Sequence, residues 1–313
     1  MTVHVYWRLD PAAEPQRSEP SLRPDISYLP ANPQRAGVTR FDHYAQVARA
    51  AAITGFDGLF VAHRTESDDS QIIAASVART APGLLLVPEF PASVGSAVYA
   101  AKQAVSFQRA THNRLGWAVI EDADPASRAA GSDPVADDDL LARKEEFLTV
   151  ARGVHGARPF SHKGRIFEVQ GGGFEQPLAS VPFPRVFLTG ASEEALGLSA
   201  RIADVHLFEH APVPALRERI ETLDRLALAA GRNVGFGVTA SVIARESRED
   251  LPRERADIYG TYDEVAAVLA ELASAGVEHL VLSGSPSLEE AYRLGQFVLP
   301  PLRSRTAALR AAA

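Results

Sequence analysis

Short apolar runs alternate with longer amphipathic stretches along this chain. VHVYW, at Val3–Trp7, predicts a first strand; FDHYAQVARAAAITG then has helical spacing and ends at Gly55, a glycine just past a last turn. FDGLFV predicts the second strand and SQIIAASVART the second helix, capped by Asp68 or Asp69. GLLLVPEF and SAVYAAKQAVSFQRA give the third pair, RLGWAVI and DDDLLARKEEFLTVARGVHG the fourth. PRVFLTG is the fifth strand, followed by a helix opened by Ser192; ADVHLFE and VPALRERIETLDRLALAAG follow. VGFGVTASVIA and TYDEVAAVLAELASAG, with a cap at Thr261, make the seventh pair, and VEHLVLSG and SLEEAYRLGQFVLPPL the eighth.

Eight strands alternating with helices predict a parallel sheet with right-handed crossovers. Closed on itself, this is a (β/α)8 TIM-type barrel; an open doubly wound sheet is the alternative. Continuous apolar strands such as LLLV and HLVL fit a sheet covered on both faces. Two insertions interrupt the alternation, after strands 1 and 4. The first is a proline-rich polar stretch over 10–39, read as a loop above the strand ends. The second holds an acidic loop over 121–136 and, beyond the helix, a glycine-rich hairpin in SHKGRIFEVQGGG. No linker divides the chain, so residues 1–313 are expected to form one domain.

Composition narrows the function. The absence of cysteine removes disulfides, thiolate zinc sites and cysteine nucleophiles. A net charge of −7, with basic residues interleaved among acidic ones, argues against nucleic acid as a partner. No apolar run reaches the roughly 18 residues of a membrane span. MTVHVYWRLD lacks the features of a signal peptide, so the cytoplasm is the expected compartment. The nine histidines show no tight ligand spacing, and no metal site is expected.

In such a barrel, chemistry sits where strands end. That places Trp7, Arg8 and Asp10 after strand 1, His63 and Arg64 after strand 2, and Glu89 after strand 3. Glu121 and Asp122 follow strand 4, Gly190-Ala191-Ser192 strand 5, and Glu209 and His210 strand 6. Thr239 and Ser241 lie along strand 7, and Ser283-Gly284-Ser285 end strand 8. LTGASEEAL is the most pointed of these: a glycine turn runs into a helix N-terminus, whose unpaired N–H groups and dipole stabilise an anion. A plain serine cap has the same pattern, and Glu193 and Glu194 compete with an anion there. His63 at a strand end suits a general base, and Arg64 a clamp on an anionic head group; a histidine bonded to a loop fits equally.

Longer stretches carry a resemblance. They are YWRL, FDHYAQVARAAAITGFDGLFV, SAVYAAKQAVSFQRATHNRLGW, KGRIFEVQGGG, LTGASEEALGLSARIADVHLF, GVTASVIARES and HLVLSGSPSLEEAYRLGQFVLPPL. Over nearly its whole length the chain resembles the bacterial-luciferase-like flavin monooxygenases, most closely the alkanesulfonate monooxygenase branch. The resemblance implies a barrel that uses molecular oxygen and reduced FMN supplied by a partner flavin reductase. It implies a small organic substrate, an organosulfur compound for that branch. It also implies a homo-oligomer or a heterodimer with a sister chain. Carried onto these residues, Gly190, Ala191 and Ser192 receive the flavin phosphate and Trp7 lines the cofactor pocket. His63 and Arg64 are the catalytic candidates, and Arg8, Glu89, His210, Thr239, Ser241 and Ser285 the substrate-pocket candidates.

The departures are specific. Thr239 and Ser241 stand where the branch has an arginine and a histidine, Ser67 where it has a cysteine, Ser285 and Leu141 where it has tyrosines. The small hydroxylic phosphate turn after strand 4 is Glu121-Asp122, which is expected to repel phosphate. The insertion after strand 7 shrinks to about 248–259. Three readings follow: a flavin monooxygenase with a less anionic substrate, a catalytically degenerate partner subunit, or a flavin-free small-molecule-binding barrel. Deazaflavin-dependent relatives share the scaffold.

Overall fold

The computed structural model describes residues 3–12, 40–121, 125–130, 135–156 and 158–312. Eight parallel strands close into a barrel: β1 (His4–Leu9), β2 (Gly58–Val61), β3 (Leu85–Pro91), β4 (Gly116–Ile120), β7 (Arg185–Thr189), β8 (Val205–Glu209), β9 (Gly235–Arg245) and β11 (His279–Ser283). The closing ladder runs from Val205 opposite Gly235 to Glu209 opposite Thr239, which excludes the open sheet. Between the barrel strands lie an antiparallel hairpin, β5 (Phe160–Lys163) with β6 (Glu168–Gly172), and a short β10 (Ile258–Thr261). The helices are α1 (Arg40–Thr54), α2 (Ser70–Val77), α3 (Ala97–Thr111), α4 (Pro125–Ala130), α5 (Leu140–Gly156), α6 (Glu193–Ile202), α7 (Val213–Ala229), α8 (Tyr262–Ser274), α9 (Ser287–Phe297) and α10 (Leu299–Ala312).

Strand alternation sorts the side chains into two cores. Val5, Trp7 and Leu9 of β1 join the cluster shared with the helices, whereas Tyr6 joins Phe60, Val87, Ala118, Phe187, Val205, Leu207 and Val281 inside the barrel. There Tyr6, Phe60 and Phe187 pack edge to face, with centroids 5.1–6.0 Å apart, a geometry worth about 1 kcal/mol per pair beyond burial. The strands approach so closely that a Cβ on Gly58 would stand 2.6 Å from both the Leu85 carbonyl oxygen and the Tyr6 ring.

Local signals set the helix starts. Asp69 caps α2, accepting from the N–H groups of Gln71 and Ile72, while Asp68 accepts the Tyr44 hydroxyl. Ser192 caps α6, and Thr261 forms a capping box with Glu264 at α8. Three elements depart from the expected pattern. β10 falls in the shortened insertion and extends the sheet beside the outer half of β9; at four residues it gives no periodicity to read. α4 is one short turn within the acidic segment. The expected eighth helix is two, because Pro300 and Pro301 supply no N–H to the preceding turn but fit the first turn of a new helix, α10. The stretch over 13–39, most of the first expected insertion, lies outside the described residues. No helix among the described residues is long and apolar enough to cross a membrane.

Candidate active site at the C-terminal mouth of the barrel

The C-terminal strand ends surround a cavity of about 670 Å³. Arg8 from β1 and Glu89 from β3 form one polar wall; Gly190 and Ala191 after β7, with Ile120 and Leu196, form the opposite one. Thr239 and Ser241 of β9, with Glu209, His210 and Asp257, complete the rim, and Leu207 and Val281 form an apolar floor.

Arg8 and Glu89 make a bidentate pair, Nε to Oε1 at 2.8 Å and Nη2 to Oε2 at 2.9 Å. Burial opposes the Arg8 charge, but the Glu89 hydrogen bonds and charge outweigh it, with Asp10 adding, so the guanidinium is held more firmly protonated than usual. Opposite, the Ser241 hydroxyl and backbone N–H both donate to Asp257 Oδ2, at 2.7 and 2.8 Å. Partial burial would push the Asp257 carboxyl up; the two Ser241 bonds and the His210 charge outweigh it and hold it below the usual range. Thr239 is turned to its own wall, its hydroxyl donating weakly to the Phe208 carbonyl at 3.4 Å. Arg219, from α7, reaches the lining with no ion-pair partner among the described residues.

The Gly190 turn joins the cavity to the start of α6. Gly190 has φ +132°, and a Cβ there would stand 2.6 Å from the Ala195 side chain. Ser192 Oγ accepts the Ala195 N–H at 3.1 Å, while Glu193 and Glu194 are exposed in the first turn. Nearby, the ring of His206 is wholly buried; Nδ1 pairs with Ser199 Oγ at 2.8 Å, and the ring also meets the Gly190 backbone. Burial drives its pKa down to about 4; the Gly190 backbone opposes that shift and the Lys144 charge adds to it. Lys144 of α5, 2% exposed, donates to Glu121 Oε1 at 2.9 Å. Burial lowers the pKa of its ammonium, against the pull of Glu121.

Arg8, Glu89, Gly190, Ala191, His210, Thr239 and Ser241 thus converge on one cavity. Other candidates do not line it. Trp7 faces the helix layer, wholly buried, with its indole N–H donating to Ser287 Oγ at 2.9 Å, because alternation turns Tyr6 and Arg8 inward instead. The Trp7 expectation is therefore corrected. His63 is half-buried beside the mouth and meets Glu89 only through a weak backbone N–H contact of 3.4 Å. Arg64 is exposed and tied to Asp10, so its guanidinium is not free to clamp a ligand. Ser192 spends its hydroxyl on the cap, and Ser283 rather than Ser285 reaches the lining. The Glu121-Asp122 turn is also changed: the Glu121 charge is matched by Lys144, and Asp122 lies outside the described residues.

Asp257, Arg219 and Lys144 escaped the sequence reading. Asp257 precedes the unrecognised β10, and Arg219 lies one turn inside a helix that reads as solvated. Lys144 carried a usable signal: it stands three, four and seven residues before Phe147, Leu148 and Ala151, on the buried stripe of α5. Among the described residues no group of three or more His, Cys, Asp or Glu could hold a metal ion.

The family profile of the luciferase-like monooxygenases matches residues 25–294. This chain belongs to that family. Three solved structures illustrate how widely the luciferase-like fold is shared. A riboflavin lyase, determined with modified FMN and riboflavin, aligns with a TM-score of 0.80 at 17% identity, over 97% of this chain and 92% of its own. EDTA monooxygenase from Chelativorans sp. BNC1 aligns at 0.77 and 17%, over 97% and 94%. An F420-dependent secondary alcohol dehydrogenase, in complex with an F420-acetone adduct, aligns at 0.76 and 12%, over 96% and 99%. At these identities the likeness is one of fold.

Proposed function

We propose that this luciferase-like chain is a flavin-dependent monooxygenase that takes reduced FMN and molecular oxygen at the C-terminal mouth and oxidises a small organic substrate. The Gly190–Ala191 turn carries the reading: it opens the cavity onto the N-terminus of α6 at a position where any Cβ would strike Ala195. The residues fit a phosphorylated flavin. Backbone N–H groups at the start of α6 offer hydrogen bonds and positive dipole to a phosphate. Ile120, Leu196, Leu207 and Val281 give an apolar wall for a ring. Glu193 and Glu194 work against the anion from the exposed side of the helix.

When bound, the reduced flavin supplies the two electrons with which oxygen is split between product and water. The chain's part is positioning. Arg8, fixed by two bonds to Glu89, presents an immobile charge, and the apolar floor keeps water away. His210, on the rim beside Asp257, is the residue there whose chemistry suits proton transfer.

The same wall supports a change of substrate class. Neutral Thr239 and Ser241 replace the cations of the alkanesulfonate branch, and Asp257 adds a fixed negative charge beside them. A sulfonate is disfavoured there; an uncharged or cationic organic molecule, including an uncharged organosulfur compound, is favoured. The reductant is supplied by a separate flavin reductase, and the chain works as a homo-oligomer or beside a sister chain. A degenerate subunit is the second reading, favoured by the engagement of Ser241 with Asp257 where the branch has a histidine. Oxygen uptake distinguishes the two. With reduced FMN and a panel of thioethers, amines and ketones, a monooxygenase consumes oxygen beyond autoxidation and yields oxidised product. Uptake at the autoxidation rate with every compound, or turnover only with reduced F420, overturns the first reading.

A further inference from the structure

We propose that the substrate of this chain carries a protonated amine, and that Asp257 is the residue that selects it, receiving the ammonium on its second carboxylate oxygen at the rim of the cavity. The inference names a substrate class for the reading given above and rests on that reading.

Asp257 lines the cavity from the position just before β10. Ser241 fastens it three ways: its hydroxyl and backbone N–H donate to Oδ2 at 2.7 and 2.8 Å, and the Asp257 N–H donates back to Ser241 Oγ at 3.0 Å. These bonds use everything Ser241 can donate and leave Oδ1 without a donor among the described residues. Thr239, the next hydroxyl on the same strand, is turned to the Phe208 carbonyl instead. An ionised carboxylate only accepts, so whatever completes Oδ1 brings an N–H or an O–H. The charges of the lining decide which. Three carboxylates, Glu89, Glu209 and Asp257, stand against two guanidiniums, Arg8 and Arg219, and Arg8 is already spent on Glu89. Arg219 opposes a cation and Glu209 offsets it on the same rim, so one carboxylate is in excess while His210 is neutral. A donor that is itself a cation meets both demands; an alcohol brings the donor without the charge, and a sulfonate or carboxylate brings neither. The lone pair of an ammonium is held by its proton, so this group is a handle rather than the atom oxidised. The apolar remainder of the molecule is left to the floor of Leu207 and Val281.

The test titrates the full-length protein by calorimetry with hexylamine, hexanol and hexanoate, at neutral pH and low salt, anaerobically, with and without reduced FMN. Wild type is expected to bind hexylamine most tightly and hexanoate least. Asp257→Asn keeps an acceptor for Ser241 but loses the charge. Because Asp257 is exposed, its preference for hexylamine over hexanol should fall about fivefold, the scale of one ion pair in contact with solvent. Asp257→Glu, which carries the charge on a longer stem, should keep most of that preference. Arg219→Gln removes the opposing charge and should strengthen hexylamine and weaken hexanoate, each about twofold. No preference for hexylamine in wild type, or a preference that survives in Asp257→Asn, overturns the assignment. If Asp257→Asn does not fold, added salt decides: the wild-type preference should collapse as exposed charges are screened, and a preference indifferent to salt overturns the assignment. If hexylamine is preferred through Asp257 while reduced FMN does not bind, the flavin reading falls and the Asp257 site stands. If reduced FMN binds and the three probes bind alike, the Asp257 assignment falls and the flavin reading stands.

Discussion

At the N-terminal end of the barrel several polar groups answer one another. The Tyr6 hydroxyl pairs with His279 Nδ1 at 3.0 Å, Asp57 accepts the Val5 N–H at 2.8 Å, and Asp204 accepts the Val186 N–H at 2.7 Å and Arg152 at 3.0 Å. At the C-terminal end, Arg8 and Glu89 are matched, but Arg219 is unmatched among the described residues. The N-terminal cavity is the larger, about 1050 Å³ against 670 Å³, so volume does not locate the chemistry. Position does: in a closed parallel barrel the ligand is bound at the C-terminal strand ends, and there Arg219 stands unmatched among the described residues.

That contrast breaks if substitutions at the closed end alter binding, or those at the open end alter only stability. The largest expected effect is Gly58→Ala, whose Cβ would press on the Leu85 carbonyl inside the barrel. A loss of about 3 kcal/mol is expected in chemical denaturation, with flavin affinity of the folded fraction unchanged. Acid titration comes next. Burial lowers the His279 pKa to about 3, with the His4 and Arg185 charges adding to the shift, whereas the unfolded chain protonates it near 6.5. Between those values the unfolded state binds the extra proton, so stability is full above pH 6.5 and falls as pH drops. From pH 6.5 to 5 wild type should lose about 1.5 kcal/mol that His279→Phe does not lose. Tyr6→Phe leaves His279 Nδ1 without its partner and should cost about 1 kcal/mol, again without touching flavin affinity. Smallest in stability is Ser241→Ala at the open rim, within about 0.5 kcal/mol. Its signature is chemical: Asp257 loses the hydroxyl donor and keeps the backbone N–H, its pKa rises, and the pH at which substrate affinity changes moves upward with it.

The fold was largely legible because eight apolar runs, each followed by a helix of ordinary length, leave few topologies open. The caps at Asp69, Ser192 and Thr261 were legible for a local reason, since each bonds within three residues of itself. The site was legible only where strand parity was read correctly. Arg8, Glu89, Thr239 and Ser241 face the cavity, but Trp7 was assigned to it by nearness to the strand end, when its neighbours Tyr6 and Arg8 already take the inward positions. Arg64, His63 and Ser285 do not line that cavity, because rim residues are placed by contacts such as Asp10 with Arg64, which no spacing announces. The Glu121 turn reads as repulsive in sequence because its answer, Lys144, comes from another element 23 residues later.

The central claim is that the open end, through the Gly190 turn, holds a phosphorylated flavin. Anaerobic calorimetric titration with reduced FMN tests it most directly, run on wild type, Gly190→Ala and Tyr6→Phe. One-to-one binding at about 10 μM or tighter is expected in wild type and Tyr6→Phe, weakened at least about tenfold in Gly190→Ala. No binding at about 1 mM reduced FMN in wild type, or binding lost in Tyr6→Phe and kept in Gly190→Ala, would contradict it.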